Sequence, residues 1–108
     1  AVQAGILSKM NQRGQIRGCI IDGPLALDNA ISEFAVQKKG IKSAVAGQAD
    51  ILIVPDIACG NIVGKSIIYY AGFPEGNLVV GAQVPMMIPS RSDKSEAKLN
   101  AIALSIQE

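Results

Sequence analysis

Four large apolar residues in a row, Ile51-Leu52-Ile53-Val54, lie between Asp50 and Pro55. A strand with one wet face alternates apolar and polar residues. An unbroken β-branched run is instead the pattern of a strand covered on both faces, as in parallel sheets flanked by helices. The rest of the chain keeps that rhythm. Val2, Ile6, Leu7 and Met10 fall at helical spacing before Gly14, which predicts a first helix over 1–12. Ile16 to Asp22 is short, β-branched and bounded by glycines, the signature of a strand. Gly23-Pro24 reads as a turn with Pro24 placed at the first position of a helix. Leu27, Ile31, Phe34 and Ala35 mark one face of that helix, which runs to a Gly40 cap behind Lys38-Lys39.

Beyond Pro55, residues 57–71 are mostly helical in period and are closed by Gly72 and Pro74. Leu78-Val79-Val80 and Pro85-Met86-Met87-Ile88 are extended pieces. Asp93 followed by Glu96 reads as a capping box for a last helix, with Leu99, Ile102, Ala103 and Ile106 on one face. Strands alternating with helices predict an α/β fold, a mixed but mainly parallel sheet with flanking helices and right-handed crossovers. No repeat or linker divides the chain, so a single α/β unit over residues 1–108 is expected.

Composition narrows the chemistry. Ten basic residues are matched by nine acidic ones, and the chain has two Phe, two Tyr and no Trp. That leaves neither a basic stripe nor stacking platforms for nucleic acid. There is no histidine and there are only two cysteines. A zinc site therefore has almost no ligands, and Ser-His-Asp and Cys-His nucleophiles are absent. Cys19 and Cys59 do not make a disulfide scaffold; they are expected to be reduced, buried thiols of a cytoplasmic protein. The apolar runs are too short to cross a membrane, and no charged segment leads into an apolar one at the start.

In an open α/β sheet, ligands gather at the carboxyl ends of strands, near helix N-termini. Three places qualify: Asp22-Gly23-Pro24, Pro55-Asp56 and Pro89-Ser90-Arg91-Ser92. At the third, free N–H groups and the positive end of a helix favour an anion. Arg91 adds a planar donor fork suited to phosphate, and Ser90 a short hydroxyl donor. Asp93 and Glu96 lie within a turn of Arg91 and are either bases or helix caps. The competing assignment makes Ser92 or Asp93 an N-cap and Arg91 a solvated charge. At the second place, Gly60-Asn61-Ile62-Val63-Gly64-Lys65-Ser66 looks like a phosphate-binding P-loop. It has three residues between its glycines where that motif needs four, which turns the amides elsewhere. Gly60 and Gly64 then serve close helix packing with Lys65 solvated, or Asp56, Asn61 and Lys65 line a cleft beside Ser90-Arg91. Asp28 offsets the dipole of its helix.

These stretches, taken in order, carry a resemblance. They are Asp22-Gly23-Pro24-Leu25-Ala26-Leu27-Asp28-Asn29-Ala30, then Val45-Ala46-Gly47-Gln48-Ala49-Asp50, then Pro55-Asp56, Gly60-Asn61, Lys65 and Ser90-Arg91. Together they resemble the C-terminal portion of the phosphate acetyl/butyryl transferase family. Ser90-Arg91-Ser92-Asp93 with Glu96-Ala97-Lys98-Leu99 looks like the butyryl branch; the acetyl branch carries Gly-Cys-Ser after its Ser-Arg.

The resemblance implies a reversible reaction in which acyl-CoA and phosphate give acyl phosphate and CoA. It also implies direct transfer in a ternary complex, with no acyl-enzyme, no metal and no permanently bound cofactor, coenzyme A being substrate or product. Arg91 would hold the phosphate and Ser90 would hydrogen-bond the reacting group. An acid shortly after them would take the thiol proton. A gapless match to the acetyl branch puts Ala97 at that acid's position, so Asp93 or Glu96 must substitute, and Asp93 lies nearer Arg91. Asp56, Gly60, Asn61, Lys65 and Ser92 would line the phosphate and CoA cleft. Ala58 and Cys59 depart from the family pattern.

The implied architecture is the two-domain α/β fold of isocitrate and isopropylmalate dehydrogenases, assembled as a homodimer with the active site between domains. The first residues already read as helix and no initiator methionine precedes them, so the chain is expected to be a fragment that is inactive alone. Its last helix is expected to pack on the absent portion. The alternatives are a non-catalytic, dimerising and anion-binding fragment, or a phosphate acetyltransferase.

Overall fold

The computed structural model describes residues 1–107. They contain five helices: α1 (Val2–Gln12), α2 (Leu27–Ile31), α3 (Glu33–Lys39), α4 (Ile57–Tyr69) and α5 (Ser95–Ile106). These belong to two compact units, Ala1–Pro55 and Asp56–Glu108.

In the first unit, α1 ends where its sequence predicts, with Gly14 in the left-handed region at φ 73°. The second predicted helix is interrupted. Ser32 is extended (φ −125°, ψ 109°), and its hydroxyl accepts the N–H of Ala35 at 3.3 Å, so it caps α3 rather than continuing α2. A serine that bonds its own backbone offers the chain an alternative to the helical ladder, and here that alternative splits one helix into two. Pro24 lies ahead of the first helical residue, Leu27, rather than opening the helix. Gly40 closes α3 at φ 63°, as expected. The 45–49 segment is bound to α2 through Gly47 N–H to the Asn29 carbonyl (2.8 Å) and Ala49 N–H to the Ala30 carbonyl (3.0 Å).

The expected sheet is not formed among the described residues; the extended segments contribute one isolated antiparallel bridge, Val79 with Met86. Each departure has a local cause. In the 16–21 segment, the carbonyls of Ile16 and Cys19 and the N–H of Ile21 are taken by the side chain of Asn11. Groups so engaged are not offered to a neighbouring strand. Ile51 to Val54 lies outside any helix or strand, with Ile51 and Ile53 exposed, and no ladder partner reaches it among the described residues. The two pieces read as separate strands, 78–80 and 85–88, turn back on one another through Gly81 (φ 96°), with Val79 N–H donating to the Met86 carbonyl at 2.8 Å. Parallel neighbours need a long crossover, whereas this short connection permits only antiparallel pairing.

Burial is confined to small side chains: Ser8, Ala30 and Ala46 in the first unit, Ala97 and Ala101 in the second. Units of this size bury a modest share of their surface. Many large apolar residues, among them Ile57, Ile62 and Tyr70, are exposed. Cys19 was expected to be buried but is exposed, because its segment is tethered to Asn11 and not covered by a sheet; Cys59 is half-buried. In the second unit, α5 lies directly on the backbone at Gly76. A Cβ there would meet the Ala101 nitrogen at 3.1 Å and Leu104 Cδ1 at 2.9 Å. Asn100 Nδ2 donates to the Glu75 carbonyl at 3.0 Å across the same contact. No described helix is long and apolar enough to cross a membrane.

Candidate functional site

The site is built from the second unit. Pro89 ends an extended segment, and the next four residues fold into a turn ahead of α5 in which the Asp93 N–H donates to the Ser90 carbonyl at 3.1 Å. The Asp93 carboxylate answers in the other direction, accepting the Ser90 N–H at 2.6 Å. Ser90 and Asp93 are thus tied twice, through main chain and side chain. The Ser90 and Ser92 hydroxyls are 3.0 Å apart, and the Ser92 N–H points to Ser90 Oγ at 3.4 Å. Arg91 is the exposed residue at the head of this turn, and no ion-pair partner engages it among the described residues.

This geometry corrects the capping box. The N-cap of α5 is Lys94, and no side chain caps it. Asp93 is spent on Ser90 instead, and Glu96 lies exposed in the first turn of α5. Glu96 lines an open groove with Glu75, Gly76, Asn100 and Leu104.

Asp93 is also where other elements converge. Its side chain is 2% exposed, and Lys65 Nζ from α4 lies 3.8 Å from Oδ1. Asn77 Nδ2 donates to Oδ2 at 3.4 Å and to Glu75 Oε2 at 3.3 Å. Lys65 also lies over the Tyr69 ring, 5.8 Å from its centroid, a cation–π contact that holds the ammonium from its other side. The predicted residues Lys65, Ser90, Ser92 and Asp93 are therefore brought together. Asn77 is the member of this cluster that no motif in the sequence singles out.

The remaining predicted residues lie at the start of α4. Asp56 is its N-cap, accepting the Cys59 N–H at 2.8 Å. Gly60 is half-buried and Asn61 exposed. Asn61 precedes Lys65 by one turn, which places both on one helix face. No group of three or more carboxylate or cysteine side chains among the described residues could hold a metal ion.

The crystal structure of a branched-chain phosphotransacylase from Enterococcus faecalis V583 superposes with a TM-score of 0.81 at 35% identity, over 94% of this chain and 38% of that one. The family model for phosphate acetyl/butaryl transferase matches residues 3–106, and the chain belongs to that family. It is 55% identical to a phosphate acetyltransferase of Thermotoga maritima over 96% of this chain and 35% of that protein. It is 50% identical to a phosphate butyryltransferase of Clostridium beijerinckii over 96% of this chain and 34% of that protein. The chain thus spans about a third of the length of these relatives.

Proposed function

We propose that these residues form the Ser-Arg segment of a phosphate acyltransferase that interconverts acyl-CoA and phosphate with acyl phosphate and CoA. The observation that carries this reading is the Ser90–Asp93 turn, fixed at both ends, with the Arg91 guanidinium left unpaired among the described residues. In a direct transfer, an oxygen of hydrogen phosphate attacks the thioester carbonyl carbon, the C–S bond breaks, and the proton given up by the phosphate ends on the departing sulfur. Arg91 would hold the phosphate through two parallel donors and offset charge as it develops, and the Ser90 hydroxyl would hydrogen-bond the reacting group. Glu96 is the acid free to carry the thiol proton, because the Asp93 carboxylate is already engaged by Ser90, Asn77 and Lys65. Asn61 and Ser92 would contact phosphate or CoA from the same unit.

The chain's span of about a third of its relatives supports a parent of greater length. The two-domain dehydrogenase-like architecture, the homodimer and full activity would belong to that parent, and the 108 residues alone would be inactive. Similarity extends to both acetyl and butyryl enzymes; the Ser-Arg-Ser-Asp sequence favours a butyryl or branched substrate.

The test is loss of thioester absorbance from butyryl-CoA and acetyl-CoA, with and without phosphate, using the parent chain. Phosphate-dependent turnover is expected, falling roughly a hundredfold or more in Arg91→Ala with folding intact. A well-folded parent with no phosphate-dependent turnover on any short acyl-CoA overturns the reading.

A further inference from the structure

We infer that Asp93 and Lys65 form a positioning pair for Ser90-Arg91: the carboxylate fixes the turn, and the ammonium keeps that carboxylate from competing with phosphate for Arg91. The inference rests on the acyltransferase reading above and adds to it the roles of two residues. Asp93 is placed to dominate this turn. Its side chain is 2% exposed, it accepts the Ser90 N–H at 2.6 Å, and it is separated from Arg91 by one residue. An uncompensated carboxylate there would attract the guanidinium and repel an incoming phosphate dianion. Lys65 Nζ, 3.8 Å from Oδ1, supplies the compensating charge. The Tyr69 ring beneath Lys65 and the Asn77 amide on Oδ2 hold the pair from either side. Lys65 thus faces Asp93, while Arg91 has no ion-pair partner among the described residues and is left for substrate.

The pair makes a prediction that neither a catalytic base nor a simple structural brace makes. In the parent enzyme, Asp93→Asn keeps an acceptor for the Ser90 N–H and removes the charge. Its kcat should fall by less than about tenfold, whereas loss of a general base costs roughly 100- to 10,000-fold. Lys65→Met leaves the carboxylate unbalanced and should raise the KM for phosphate about tenfold with kcat little changed, the expected effect of weakened ground-state binding. Adding Asp93→Asn to Lys65→Met should bring the phosphate KM back toward the wild-type value, since the offending charge is gone. Two results would overturn the inference: a kcat collapse in Asp93→Asn, or a double variant no better for phosphate than Lys65→Met. Failure of the acyltransferase reading shows separately, as absence of phosphate-dependent turnover in the unaltered parent.

Discussion

The side chain of Asn11 accepts the main-chain N–H of Ile21 at 3.0 Å, and its amide nitrogen donates to the carbonyls of Ile16 (3.0 Å) and Cys19 (2.9 Å). One residue at the end of α1 thus replaces what a neighbouring strand would otherwise supply. Asn11→Ala should destabilise the first unit by about 0.5–1.5 kcal/mol, the net worth of a typical hydrogen bond, since water reaches part of these backbone groups. Asn11→Asp should also destabilise, because a carboxylate would face two carbonyl oxygens. Urea unfolding midpoints check both; a wild-type midpoint for Asn11→Ala would show that water replaces the side chain without loss.

The second prediction separates a cap from a ligand. Asp56 accepts the Cys59 N–H at 2.8 Å. Asp56→Ala should cost α4 about 1 kcal/mol, and Asp56→Ser, a comparable N-cap, should restore most of it. If Asp56 also contacts substrate, Asp56→Ser in the parent enzyme will recover stability without recovering turnover. Thermal unfolding and turnover, measured side by side, distinguish the two roles.

Gly47 combines two constraints. Its φ is +86°, and a Cβ on it would come within 2.9 Å of Glu33 Cα. Gly47→Ala should therefore destabilise by roughly 2–3 kcal/mol, from a disfavoured backbone region together with a clash that only main-chain movement relieves. Gly76→Ala tests crowding alone, since it meets α5 at 3.1 Å from the Ala101 nitrogen and carries no left-handed φ. It is expected to shift α5 and to raise amide exchange along that helix.

Asp28 gives a pH dependence of known sign. The hydrogen bond from Lys39, 2.7 Å away, holds its carboxyl below the ordinary value of 3.8. A group lowered in the folded state contributes stability above its unfolded pKa and loses it as pH falls through the folded value. The stability gap between wild type and Asp28→Asn should thus be constant near neutrality and close as pH falls below 3.8. The pair is half-exposed, so added salt should narrow the gap near neutrality. Unfolding midpoints against pH check this; a gap that widens on acidification would contradict it.

What could be read from the sequence was what short range decides. The period of α1, the Gly40 cap and the start of α4 at Ile57 follow from neighbours within one turn. The Ser-Arg turn and its place before a helix were legible for the same reason. The break at Ser32 is also local, but a continuous apolar face across Leu27, Ile31 and Phe34 masks it. That the extended segments would form no sheet among the described residues was not legible, because such a segment is a strand only if another supplies its hydrogen bonds. The role of Asp93 escaped similarly: its spacing to Glu96 suggested a capping box, while its true partners include Asn77, sixteen residues away, and Lys65 on another helix.

The apolar Ile51–Val54 segment has a practical side. Exposed β-branched side chains beside amides with no backbone partner form a template for strand addition, and the run carries no charge to discourage it. When the 108-residue chain is produced by itself, self-association should start there and rise with concentration. A lysine in place of exposed Ile53 would act as a gatekeeper and keep the isolated chain dispersed.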